Sequence, residues 1–164
     1  PTRLADVAEA LAARLGALAP DDAATFTANA AALGEALTAL DAEYTTTLAE
    51  CTSRDLVTSH TAFGYLADRY GFEQVGIAGV SPDQEPSPAA MTAVTDFVRE
   101  HGVTTIYTET LVDPAIADTI AAETGAATAV LDPLEGLTEA SAGDDYLAVM
   151  PANLATLAAG QRCR

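Results

Sequence analysis

The chain has two histidines, and one of them, His60, stands where chemistry would be placed. It closes the sequence Thr58-Ser59-His60, directly after the short apolar run Asp55–Thr58. Glu109 follows a similar run over residues 103–108, and Asp132 follows another over 128–131. A fourth run, 74–80, leads into Ser81-Pro82-Asp83-Gln84-Glu85. In an open α/β sheet, ligands bind outside the carboxyl ends of the strands, so these are the positions to search. A neutral imidazole with carboxylate oxygens suits a divalent transition metal such as zinc, manganese or iron. The same groups also serve acid–base catalysis.

Each residue has a plainer reading beside the functional one. His60 fits equally well as a residue at a helix start, satisfied by backbone. Asp132 precedes Pro133 and suits a turn. Glu109 is either a ligand or the partner that orients His60, as a metal-bound imidazole requires. Glu85, before Pro-Ser-Pro, reads as an electrostatic contact at a helix start. His101 ends a helix, where a cation meets the negative end of the dipole, and reads as structural.

The elements that must carry these groups are legible. Residues 1–50 are Ala-rich, with Leu4, Val7, Leu11 and Leu15 at helical spacing. Ala19-Pro20-Asp21-Asp22 reads as a break with Asp21 as cap, and a long helix follows over 23–50, carrying Phe26, Leu33, Leu37, Leu40, Tyr44 and Leu48. From Arg54 onward strand and helix alternate, with helices expected over 61–70, 88–101, 114–124 and 145–161. Ser87-Pro88 and Asp113-Pro114 suit helix starts, while Gly71, Gly102 and Gly125 suit helix ends. Pro151 either kinks the last helix or marks its start. The fold class is α/β: a four-stranded parallel sheet with helices on both faces, preceded by a helix and a long linker helix. The domain division expected is 1–50 and 51–164.

Composition excludes whole classes. Seven basic residues, all Arg, stand against 24 acidic ones, for a net charge of -17. Nucleic acid is excluded as a partner, since phosphate binding needs clustered cations. Without Lys there is no Schiff base and no P-loop. No Gly-x-Gly-x-x-Gly follows a strand, and there is no Gly-x-Ser-x-Gly elbow. Gly76 and Gly79 read as close-packing positions within a strand. No basic, apolar signal peptide is read at Pro1, which leaves the compartment open. Cys51 and Cys163 have no CxxC partner, and spacing leaves buried thiols and one disulfide equally open.

From His60 the sequence resembles the metal-specific substrate-binding proteins of bacterial ABC transporters, the zinc-uptake branch in particular. The resemblance is carried by Val57-Thr58-Ser59-His60-Thr61-Ala62-Phe63-Gly64-Tyr65-Leu66 and by Gly76-Ile77-Ala78-Gly79-Val80-Ser81-Pro82. It continues through Thr105-Ile106-Tyr107-Thr108-Glu109-Thr110-Leu111, Leu131-Asp132-Pro133-Leu134-Glu135-Gly136-Leu137, Asn153-Leu154 and Cys163. It implies a two-lobed extracytoplasmic receptor, a cell-surface lipoprotein or periplasmic protein, that holds metal between lobes and delivers it to a permease. In that family a His or Glu at the position matching His60 is a ligand, with His typical of zinc-uptake members. An Asp matching Asp132 is a second ligand in several members, and Glu109 matches an acidic position behind the site. The family's paired cysteines imply a Cys51–Cys163 disulfide.

The resemblance also implies an amino-terminal lobe with two further His ligands, which these residues do not include. The expectation is therefore a carboxyl-terminal part with an incomplete site that binds metal weakly, zinc being expected before manganese or iron. The apolar face of residues 1–50 then favours dimerisation. The alternative is a small metal-dependent or acid–base α/β enzyme using His60, Glu109 and Asp132. A purely structural module is the third reading.

Overall fold

The computed structural model describes residues 1–79 and 86–164. Residues 80–85, including the contact expected of Glu85 and the end of the strand expected over 74–80, lie outside the described residues. The chain divides into two compact units, Pro1–Thr46 and Thr47–Arg164.

In the first unit, the Ala-rich sequence forms helix α1 (Thr2–Leu18), then a 3-10 turn over Pro20–Asp22, then α2 (Ala23–Leu48). Gly16 allows the chain to double back, because a Cβ there would sit 3.1 Å from the Ala23 Cβ. Asp21, expected as the cap of the long helix, lies within this turn. On α1 the apolar stripe faces outward: Val7, Leu11, Leu15 and Leu18 are exposed. On α2, Leu37, Leu40, Tyr44 and Leu48 are buried at helical spacing.

Early in the second unit, Arg54 satisfies carbonyls that the end of α2 leaves bare. Its Nη1 donates to Leu48 O at 2.9 Å and its Nη2 to Ala49 O at 2.7 Å. Four strands follow: β1 (Asp55–Thr58), β2 (Glu73–Gly76), β3 (Thr105–Thr108) and β4 (Ala127–Val130). They pair in parallel in the order β2-β1-β3-β4. Helices α3 (Gly64–Tyr70), α4 (Pro88–His101) and α5 (Ala115–Thr124) make the crossovers, and α6 (Tyr146–Gly160) follows β4.

The sheet steps one way from β1 to β2 and the other way from β2 to β3. Right-handed crossovers therefore put α3 on one face and α4 and α5 on the other. Val57 and Ile106 face a core built with Val94 and Val98 of α4 and Ile120 of α5. Tyr107, one residue on, points to the opposite face, where a Cβ on Gly160 of α6 would strike its ring. The fold class expected from sequence is the fold observed.

Local chemistry sets the boundaries. Ser87 Oγ accepts from Ala90 N at 3.2 Å at the start of α4, and Asp145 Oδ1 accepts from Ala148 N at 2.8 Å at the start of α6. Gly71, Gly102 and Gly125 end their helices in the left-handed region, at φ 73°, 62° and 80°. Pro151 lies inside α6 and does not start it. A disulfide joins Cys51 to Cys163 across 112 residues, and the two also form an isolated antiparallel bridge. It ties the segment after α2 to the segment after α6. Among the described residues, no helix is long and apolar enough to cross a membrane.

Candidate metal centre

The strand order reverses direction between β1 and β3, and the loops leaving these two strands bound the crevice where such sheets bind ligands. His60 leaves β1 and Glu109 leaves β3. The path of the first loop is fixed by backbone: Ser59 N donates to Tyr107 O at 2.9 Å, and Thr61 N to Gly79 O at 3.1 Å. The His60 carbonyl accepts from Thr58 Oγ1 (2.6 Å), Ala62 N (3.0 Å) and Gln74 Nε2 (3.2 Å). That use of the backbone delays α3 to Gly64, three residues beyond the expected start.

His60 is almost wholly buried, at 1% exposure. Its Nδ1 lies 2.7 Å from the Glu109 carboxylate, aligned on Oε1, and the His60 backbone N–H donates to the same Oε1 at 3.3 Å. The Glu109 carboxylate can accept the Nδ1 proton, and in the tautomer that does so Nε2 carries the lone pair a metal would take. Burial pushes the Glu109 carboxyl above its ordinary range; His60 opposes this, and the neighbouring charge of Glu135 adds to it. Glu109 Oε2 is buried and accepts no hydrogen bond.

The Nε2 side is occupied by a residue that the sequence search passed over. Glu135 Oε1 lies 3.4 Å from His60 Nε2, and the Glu135 side chain is about half exposed, at 48%. Glu135 stands well beyond the end of β4, outside the search for the residue just past each strand. It is brought back by a turn in which Leu134 takes φ 61°. The carboxylate run of the sequence, Asp132-Pro133-Leu134-Glu135, was the available signal.

Asp132 is buried and holds that turn. Its Oδ1 accepts from Leu134 N at 2.8 Å, while its Oδ2 is buried without a hydrogen-bond partner. Among the described residues, no hydrogen bond or ion pair links Asp132 to His60, and no group of three or more His, Cys, Asp or Glu side chains is placed to hold a metal ion. The other His, His101, stacks on Phe97 at 3.9 Å between ring centroids and pairs with Asp55 Oδ2 at 3.1 Å. Asp55 begins β1, at the end of the sheet opposite the crevice.

Buried side-chain oxygens that accept no hydrogen bond gather at the same edge, although Glu109 Oε2 lies 2.7 Å from His60 Nδ1. Thr61 Oγ1, Glu109 Oε2, Thr110 Oγ1 and Asp132 Oδ2 all lie just beyond the carboxyl ends of strands. Buried polar atoms are ordinarily satisfied, and such a gathering marks a place built for something else than packing.

Comparison with known proteins agrees. A family model described as "Zinc-uptake complex component A periplasmic" matches residues 1–160. The zinc-binding lipoprotein AdcA of Streptococcus pneumoniae is 43% identical over 159 residues, which are 96% of this chain and 32% of that protein. The high-affinity zinc uptake system protein ZnuA of Bacillus subtilis is 47% identical over 120 residues, 72% of this chain and 38% of that one. The crystal structure of a Zn(II)-bound variant of AdcAII from Streptococcus pneumoniae superposes with a TM-score of 0.88 at 33% identity, covering 98% of this chain and 58% of that chain. The chain thus spans about a third of the length of the curated relatives it matches.

Proposed function

The chain belongs to the zinc-uptake component A family, and from that premise we propose that residues 47–164 are the metal-receiving lobe of an extracytoplasmic zinc receptor. Zinc is its cargo, captured here and passed to the permease of an ABC transporter. The observation that carries the reading is the state of His60: a buried imidazole with Nδ1 held by Glu109 and Nε2 turned to the Glu135 carboxylate.

In this reading His60 Nε2 and Glu135 are the two donors the lobe presents. Glu109 fixes the ring and raises its basicity as a ligand. Asp132, expected from sequence as the second ligand, supports the turn with one oxygen, while the other is buried without a hydrogen-bond partner. A tetrahedral zinc takes four donors, so the remaining ones come from a second body, which the resemblance assigns to an amino-terminal lobe. Manganese fits less well, because it prefers oxygen donors to imidazole. The net charge of -17 draws cations toward the protein, within a screening length of about 8 Å at physiological salt. No substrate turnover is assigned. The outward apolar stripe of α1 supports self-association of this chain, which sedimentation of a Leu11→Glu variant tests.

Zinc titration calorimetry on this chain, with manganese in parallel, tests the site. Weak zinc binding that disappears in His60→Ala and falls in Glu135→Gln is the expected result. Loss in Asp132→Asn with Glu135→Gln unchanged would transfer the carboxylate role to Asp132. Identical traces from wild type and His60→Ala would sink the reading.

A further inference from the structure

Helix α6 buries Val149, Met150, Asn153, Leu154 and Leu157 on one side. Asn153 is the polar exception in that stripe, with 5% exposure. A buried amide is costly unless both its ends are bonded. Here both ends go to one residue: Asp132 N donates to Asn153 Oδ1 at 3.0 Å, and Asn153 Nδ2 donates to Asp132 O at 2.7 Å. The sheet ladder has just run out at this point, its last bond being Leu131 N to Thr108 O at 2.9 Å. Asn153 therefore acts as a substitute strand for the first residue beyond the sheet.

What hangs from that residue is the metal-facing turn. Asp132 Oδ1 takes the Leu134 N–H, Pro133 between them restricts the backbone, and Leu134 is held at φ 61°. A left-handed non-glycine residue is strained and persists only where its surroundings impose it. The next residue is Glu135, facing His60 Nε2. Side chain, backbone clamp, Asx-type turn and carboxylate form one continuous chain of contacts from α6 to the imidazole.

We propose that Asn153 is a positioning residue of the zinc site, clamping Asp132 so that the strained Leu134 turn presents the Glu135 carboxylate to His60. The inference rests on the reading of His60 and Glu135 as donors. It makes α6, which contributes no ligand, a determinant of metal affinity.

The test is zinc titration and cobalt(II) absorption on the wild type, Asn153→Asp, Asn153→Ala, Glu135→Gln and the double variant Asn153→Asp/Glu135→Gln. Leu154→Ala, the neighbouring packing position, controls for loss of stability alone. Asn153→Asp keeps the acceptor for Asp132 N–H and loses the donor to Asp132 C=O. It should weaken zinc binding about tenfold, within the range for residues that orient ligands. Its cobalt spectrum should change, and its Leu134 amide should exchange hydrogen faster. Leu154→Ala should lower the melting temperature without these effects. The double variant should bind no more weakly than Glu135→Gln alone. Asn153 variants that melt lower but bind zinc like the wild type would overturn the proposal while leaving the donors in place. So would Asn153→Asp weakening binding further on top of Glu135→Gln. If Glu135→Gln itself binds like wild type, the donor reading fails and the proposal with it. Should Asn153→Ala not fold, Asn153→Asp carries the comparison.

Discussion

The Glu109 carboxylate sits 2.7 Å from Nδ1 of His60, with both side chains almost fully withdrawn from water. A carboxylate in that position holds the ring in place and favours a proton on Nδ1. On the proposed reading it would act on a metal only through the imidazole. Replacing Glu109 with Gln keeps the shape and removes the charge that stabilises a metal-loaded imidazole. Zinc affinity should fall about 10- to 100-fold, the usual effect of removing such a partner, while the fold persists. Calorimetry alongside circular dichroism checks both halves; unchanged affinity would reduce Glu109 to a packing role.

The sheet was legible because its punctuation is local. Gly71, Gly102 and Gly125 end helices where the sequence places them, and β1 and α4 run as expected over Asp55–Thr58 and Pro88–His101. Misplaced boundaries were set by long-range pairing. Residues 74–80 read as one strand, yet β2 spans Glu73–Gly76, because its partner β1 ends at Thr58. Gly79 consequently lies outside the strand, where its carbonyl anchors Thr61. His60 and Glu109 were found because each stands next to a strand end. Glu135 was not, since only the left-handed Leu134 returns it to the crevice, and no local pattern marks a non-glycine residue for that conformation. The pairing of Cys51 with Cys163 was equally unreadable from spacing, and the resemblance alone supplied it.

Gly76, the last residue of β2, leaves no room for a side chain beside the His60 loop. A Cβ there would lie 2.5 Å from Ala78 O, 2.6 Å from Thr61 Cγ2 and 3.2 Å from Thr61 N. Two of these are backbone atoms, which cannot rotate away as a side chain would. Gly76→Ala should cost about 1–3 kcal/mol, typical of overpacking, and weaken zinc binding because Thr61 adjoins His60. Urea unfolding and zinc titration measure the two effects. A variant with unaltered stability would mean the loop has slack.

The disulfide closes a loop of 112 residues around nearly the whole second unit. In the chain-entropy model a loop of that size stabilises by about 4–5 kcal/mol. The Cys51→Ala/Cys163→Ala variant should therefore unfold at much lower urea, with the wild type approaching it only under reducing conditions. Coincident curves for oxidised and reduced wild type would show that native packing, not the cross-link, holds the two segments together.

Tyr107 offers a test of burial that is independent of metal. Its hydroxyl is buried without a hydrogen-bond partner, against α6, and burial raises its pKa well above the ordinary 10.0. The unfolded chain releases the phenolic proton from about pH 10, while the folded chain still holds it. Above that pH the folded state binds more protons than the unfolded one, so stability falls as pH rises. Below it the group contributes no pH dependence. Removing the orphaned oxygen in Tyr107→Phe should leave stability at neutral pH unchanged or raised by up to about 1 kcal/mol, since no bond is lost. It should also flatten the alkaline decline. Thermal melts of both proteins between pH 8 and about pH 11 decide the matter. A Phe variant that melts several degrees lower at neutral pH would mean the hydroxyl has a partner, such as an ordered water, that its burial conceals.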